Sequence, residues 1–153
     1  MEPDWLLLSI RPGHARNIFS KSKTVELRRR LPDARPGTKA LLYVTSPERA
    51  ILGGFQVAEL VTDSVDSLWK RMNGKTQVSY TEFKAYFADL INASGIIISN
   101  PWLLPEPITL ERLREIWPGF HPPRSFRYLR RSDIHARKLT KIIDEMKKQL
   151  ISS

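Results

Sequence analysis

The sequence predicts an α+β domain: a curled sheet or small β-barrel of about six strands, with short helices around it and a C-terminal helix. Three observations carry that expectation. Short apolar or alternating runs recur between Pro and Gly breaks. Helix-opening residues precede several amphipathic segments, and the C-terminal stretch carries one apolar stripe at helical spacing.

Trp5-Leu-Leu-Leu-Ser-Ile10 is short and apolar, as a buried strand is. Arg11-Pro-Gly breaks it, and the Pro12 turn opens a short helix from His14 to Phe19. Lys23-Thr-Val-Glu-Leu-Arg28 alternates as a strand does, with Val25 and Leu27 toward the core and Thr24, Glu26 and Arg28 on the opposite face. Residues 30–38, with Pro32, Pro36 and Gly37, form a loop. Lys39 to Thr45 and Ala50 to Val61 are further strands, and Gly53-Gly54 marks a bulge or a close backbone approach. Asp63 caps a helix from Ser64 to Met72, and Ser79-Tyr-Thr-Glu82 has the capping-box spacing for another that runs to Leu90. Gly95 to Ser99 is a strand, after which Pro101, Pro105 and Pro107 make an extended connector. Thr109 caps a helix that ends near Trp117, before Pro118-Gly119. Residues 121–129 are a loop and a final strand. From Ser132 to Leu150 a helix carries Leu139, Ile142, Ile143, Met146 and Leu150 on one stripe. That stripe spans under two heptads, so packing on its own domain is expected rather than a coiled coil or a partner helix.

A chain of 153 residues with 41% hydrophobic and 27% charged residues is expected to form one domain with its own core. It has no cysteine, which excludes a disulfide framework, a thiolate metal site and a cysteine nucleophile, and suits a reducing cytoplasm. His14, His121 and His135 are too scattered for a zinc site, so no metal or cofactor is expected. The apolar stretch Trp5 to Leu8 is too short for a bilayer, so no membrane partner is expected.

The net charge of +9 is unevenly placed. Residues 11–39 carry nine Lys/Arg against Glu26 and Asp33, and residues 124–153 carry nine against Asp133, Asp144 and Glu145. The stretch between them is mildly acidic. If folding joins the two blocks, they make a field that attracts a polyanion.

Two segments hold the candidate chemistry. On the strand at residues 23–28, Thr24, Glu26 and Arg28 stand in a row at roughly 7 Å steps. A hydroxyl, a carboxylate and a guanidinium so placed can bind a base edge or a phosphate, or they can be a solvated sheet face with an ion pair. In the second, Arg124, Arg127, Arg130 and Arg131 flank Phe126 and Tyr128. A strand there puts Arg124, Phe126, Tyr128 and Arg130 on one face, which either stacks bases or buries its rings in the core.

The run LLSIRPGHARNIFSKSKTVELRRR, the strand-turn-strand ALLYVTSPERAILGGFQV and the late PPRSFRYL together resemble ASCH domains, of the PUA-like group, over roughly residues 5–130. The resemblance implies an ASCH/PUA-like domain at 1–131, with residues 132–153 as a helix packed on or extending it. It implies a cleft between the Lys-Thr-x-Glu-x-Arg strand and the first helix, and a role with RNA or modified nucleosides. Some bacterial ASCH proteins are amidohydrolases that remove acetyl from N4-acetylcytidine with a lysine, a threonine and a glutamate. Their lysine falls on Lys23, their threonine on Glu26 and their glutamate on Glu82. Glutamate cannot replace threonine as an acyl-transfer nucleophile in the same way, and Lys23 and Arg28 favour its ionised form over a strongly basic role on water. Glu82 also has a purely structural use in the capping box.

Two functions are therefore expected. The first is nucleic-acid binding, RNA before DNA, by a monomer with a basic cleft and a regulatory use, through Arg11, Lys23, Thr24, Arg28, Arg30, Arg124, Ser125, Tyr128 and Arg130. The alternative is a hydrolase acting on a modified nucleoside or on RNA, with Lys23, Glu26 and Glu82 in its site.

Overall fold

Every residue of strand β1 (Trp5–Ile10) except Ser9 is buried, and the two sides of the strand feed two different cores. Leu6, Leu8 and Ile10 join one cluster with Ala40, Leu42 and Val44 of β3 (Lys39–Val44) and with Ala15 and Ile18 of helix α1 (Pro12–Phe19). Trp5 and Leu7 join the other, with Leu41 and Tyr43. Apolar side chains on both faces are what a strand covered on both sides requires. Each such leucine contributes about 1.5–3 kcal/mol on burial.

The computed structural model describes residues 4–152. Residues 1–3 and 153, the outer limits of the two segments expected from the sequence, lie outside the described residues. The remaining elements are β2 (Val25–Leu27), β4 (Ala50–Ser64), α2 (Val65–Met72), α3 (Tyr80–Tyr86), β5 (Asn92–Thr109), α4 (Leu110–Ile116), β6 (Phe126–Leu129) and α5 (Ile134–Ser152). One sheet runs in the order β2-β5-β4-β3-β1-β6, with β1 parallel to β3 and every other pair antiparallel.

The α+β class and the C-terminal helix expected from the sequence are present, but the sheet is not closed into a barrel. The physical reason lies at its ends. β2 is three residues long, and the Thr24 and Val25 amides donate to the carbonyl oxygen of Lys75 rather than to another strand. β6 has four residues and pairs only with β1 among the described residues. The sheet nevertheless curls. Arg28, just beyond β2, reaches Ser9 of β1 and Ser125 before β6, and Leu31 and Ala34 of the following loop pack, like Phe126 and Tyr128, against the core of Leu6, Leu8 and Ile10.

β4 and β5 are longer than expected. The segment holding Pro101, Pro105 and Pro107 is strand, not connector, and the pairing to β4 skips residues 104–107, where prolines lack an amide to donate. Gly53 and Gly54 lie between register shifts, with room for no side chain: a Cβ would stand 2.0 Å from the Trp102 carbonyl oxygen at the first and 2.2 Å from that of Ala40 at the second. Ser64, not Asp63, caps α2, its hydroxyl accepting from the Ser67 amide. The Ser79–Glu82 capping box forms, but α3 ends at Tyr86.

Ala136, Leu139 and Ile143 of α5 are buried in the core of Trp5 and Leu7 with Leu110, Leu113 and Ile116 of α4; Ile142 and Met146 pack beside them, and Leu150 is exposed. No helix among the described residues is long and apolar enough to cross a membrane.

Candidate functional site

Where β1 runs into α1, the chain turns at Arg11 and Pro12, and this corner faces β2 on one side and α3 on the other. Between them lies a cavity of about 300 Å³, lined by Ser9, Arg11, His14, Lys23, Glu26 and Arg28 and closed on its far side by Val78, Glu82, Phe83 and Tyr86. Phe83 anchors α3 over this space by packing into a third core with Val25, Leu27, Leu68 and Phe87.

The cavity floor is ionic and buried. Lys23, Glu26 and Arg28 are 1%, 6% and 6% exposed. Glu26 accepts a hydrogen bond from Arg28 Nη2 at 2.9 Å through Oε2, and its Oε1 lies 3.6 Å from Lys23 Nζ. Lys23 Nζ also donates to the carbonyl oxygen of Thr76. Arg28 spends its remaining terminal donors on the Ser9 carbonyl at 2.9 Å and on the Ser125 carbonyl and hydroxyl at 3.1 and 3.2 Å. Buried charges persist when paired and hydrogen-bonded, and this row satisfies that rule for one carboxylate and two cations. One positive charge is left over. The Arg28 Nε and the Thr76 hydroxyl are buried without a hydrogen-bond partner among the described residues.

Burial pulls the Lys23 ammonium below its ordinary range, an effect that Glu26 opposes and Arg28 reinforces. Burial, followed by the Lys23 charge, likewise lowers His14 from 6.5, which favours the neutral imidazole. Glu82 is fully exposed. Its carboxyl is lowered chiefly by accepting the Ser79 amide at 3.1 Å, the bond that completes the capping box.

The structure thus brings Arg11, Lys23, Glu26, Arg28 and Glu82 around one cavity, and Arg28 ties Ser125 to it. Thr24 does not share the face of Glu26: it is exposed, precedes the first residue of β2, and uses its backbone to bond Lys75 and Ile98. Arg30, Tyr128 and Arg130 lie outside the cavity along β6. Arg30 sits 5.0 Å from the Phe126 ring centroid and Arg130 sits 4.2 Å from that of Tyr128. The Tyr128 hydroxyl accepts the Asp33 amide at 2.8 Å, and Arg130 pairs with Asp4 at 3.2 Å. Both rings are half-buried, between the two alternatives open from the sequence. Arg124 is exposed at the start of this strip. The first basic block therefore meets the front of the second, through Arg28 to Ser125 and Arg30 to Phe126.

Sequence reasoning missed Ser9, His14 and Tyr86. Ser9 lies in an apolar strand and bonds the chain before β6. His14 falls in the Arg-Pro-Gly-His turn, whose helix start places it in the cavity lining with Lys23; that turn was the available signal. Tyr86 lies on α3, where helical spacing gives no sign of a site; it is 40% exposed and its hydroxyl donates to the Leu27 carbonyl at 3.3 Å.

Searches against protein-family models give no match. The chain is 30% identical over 127 residues to an ASCH domain-containing ribonuclease from Zymomonas mobilis, a span that covers 83% of this chain and 85% of that protein. The crystal structure of ASCH from Zymomonas mobilis superposes with a TM-score of 0.81 at 29% identity, covering 90% of this chain and 94% of that one. A point variant of that protein gives 0.83 at 28% identity, covering 92% and 99%. Sequence and fold agree over nearly the same span, and on that agreement the chain belongs to the ASCH domain family.

Proposed function

We propose that this protein acts on single-stranded RNA, holding it so that one nucleotide enters the cavity beside Lys23, Glu26 and Arg28. The observation that carries this reading is the buried row of two cations against one carboxylate. Its surplus positive charge sits in a partly enclosed site, where a charge is worth far more than in water. What the row still has to give is the unpartnered Arg28 Nε, the Lys23 N–H beyond those turned to Thr76 and Glu26, and the remaining lone pairs of Glu26, which suits the edge of a base next to its phosphate. The exposed Arg11 stands at the rim, and the arginine–aromatic strip of β6 adjoins it. The ribonuclease activity named for the Zymomonas mobilis relative agrees with this substrate.

Fluorescence anisotropy with a labelled single-stranded RNA, at two salt concentrations and beside matched DNA, tests the reading. RNA binding should weaken steeply with salt, because each neutralised phosphate releases counterions, with a slope of about −0.7 per phosphate for single strands. Arg11→Ala should reduce that slope. Equal, salt-insensitive affinity for both polymers, or no binding, would reject it.

A second reading, strand cleavage, is favoured by His14. Its neutral imidazole can take the proton of a ribose 2′-hydroxyl as that oxygen attacks the adjacent phosphorus, while the Lys23 ammonium stabilises the charge that develops on the phosphoryl oxygens. Glu26 would then act as a positioning residue for both cations, and Glu82 would remain the cap of α3. The P–O5′ bond breaks as the O2′–P bond forms, the departing 5′-oxygen taking a proton from the His14 imidazolium or from water, so that one product ends in a 2′,3′-cyclic phosphate and the other in a free 5′-hydroxyl. Detecting those ends, and losing them in His14→Gln, supports cleavage. Intact RNA that stays bound through long incubation would leave binding alone.

A further inference from the structure

The strip beside the cavity has an order of its own. Phe126 and Tyr128 stand two residues apart on β6, with ring centroids 5.9 Å apart, and each carries one exposed guanidinium, that of Arg30 or Arg130. Both rings are only half-buried, so each keeps surface toward solvent. Arg28 joins the strip to the cavity: its guanidinium lines the cavity and holds the carbonyl and hydroxyl of Ser125, the residue immediately before Phe126. A strand leaving the cavity past Arg28 therefore meets Phe126 first and Tyr128 next. The charge along this path is positive, with Arg30, Arg35, Arg124 and Arg130 exposed beside Asp4 and Asp33.

Resting on the RNA reading above, we propose that this strip is a track for the nucleotides adjoining the one in the cavity. Successive bases stack against Phe126 and Tyr128, while Arg30 and Arg130 turn from the rings toward the flanking phosphates. A guanidinium over an aromatic ring places both partners of a stacked, charge-neutralised nucleotide before any RNA arrives. Stacking on a ring face accepts any base, so the track adds affinity without sequence preference, and selection is left to the cavity. The track also explains why the open seam of the sheet is lined with cations rather than sealed by a sixth pairing.

The experiment compares a labelled oligouridylate dinucleotide with the octanucleotide by fluorescence anisotropy, on the full chain, with thermal melts recorded for each variant. For the wild type, the octanucleotide should bind at least about tenfold more tightly, the gain expected from stacking one base or more. In the double variant Arg30→Ala/Arg130→Ala, which keeps both rings but loses the cations over them, that advantage should fall at least about threefold. Phe126→Leu keeps both arginines and an apolar side chain, and it should cut the advantage as well, which maintains the test if the arginine pair proves necessary for folding. Folded variants that retain the wild-type ratio would overturn the track. So would a polyglutamate peptide of matched charge that binds as tightly as the octanucleotide, since it offers charge without bases. Equal wild-type affinity for both lengths would overturn the track and leave the RNA reading standing, whereas no binding of either length would overturn the RNA reading itself.

Discussion

Arg28 donates to the carbonyl oxygen of Ser125 at 3.1 Å and so joins the two ends of a sheet that no backbone ladder closes. The same guanidinium holds Glu26, so the seam of the fold and the floor of the cavity depend on one side chain. Fold and site are therefore not separable here, and each substitution in the row needs a stability measurement beside any measurement of function.

Removing Glu26 leaves Lys23 and Arg28 as two buried cations without a counter-charge. Glu26→Ala is expected to cost about 3–5 kcal/mol, the range for breaking a buried pair by deleting one partner. Lys23→Met leaves the Glu26–Arg28 pair intact and should cost less. Urea unfolding of both variants checks the order; a reversed order would show that the row is not held by its carboxylate.

Glu82 faces the cavity, but its carboxylate is committed to the Ser79 amide. Glutamine makes the same capping-box bond. Glu82→Gln should therefore leave both the melting temperature and any RNA binding or cleavage close to wild type, while Ser79→Ala should cost about 1 kcal/mol through the lost cap. Loss of activity in a fully folded Glu82→Gln would instead mean that the carboxylate acts on substrate.

His14 links the cavity to pH. Its pKa is lowered from 6.5 in the folded chain, so on acidification the unfolded chain takes up this proton first. Its contribution to stability is present above about pH 6.5 and is lost as pH falls through the lower folded value. Denaturation midpoints between pH 7 and 5 should decline, and His14→Gln should flatten part of that decline. An unchanged slope in the variant would remove His14 as its source.

Gly53 packs its backbone against Trp102 with no room for a methyl group. Both atoms in the way are fixed, a carbonyl oxygen and a Cα, so neither can rotate aside. Gly53→Ala should cost about 3 kcal/mol or more, or fail to give soluble protein, as overpacking against backbone does. Gly37 has a φ of +92° and open space around it, so Gly37→Ala should cost less, through backbone strain alone.

Much of this was legible in the chain because it is local. The largely apolar Trp5–Ile10 run, the Pro12 helix start, the Ser79–Glu82 box and the Gly53-Gly54 approach each follow from neighbouring residues. Strand alternation also put Glu26 and Arg28 on one face, opposite Val25 and Leu27. What alternation could not supply is that α3, more than fifty residues away, covers that face and makes the row buried rather than solvated. Lys23 is the sharpest case. It lies before the first residue of β2, so the period-two pattern does not govern it, and its side chain enters the cavity while Thr24 turns out to solvent. The prolines of β5 misled for a related reason. They break a strand only where an amide is needed, and the gap in its pairing with β4 needs none.

The central claim is that RNA enters the cavity floored by Lys23, Glu26 and Arg28. Photo-crosslinking of a 4-thiouridine oligonucleotide to the intact protein, with the attached peptides mapped by mass spectrometry, tests it most directly. Crosslinks are expected on the segments that carry His14, Tyr86 and Phe126, reduced in Arg28→Lys. Crosslinks confined to α5, or none on the cavity segments under conditions where RNA binds, would contradict it.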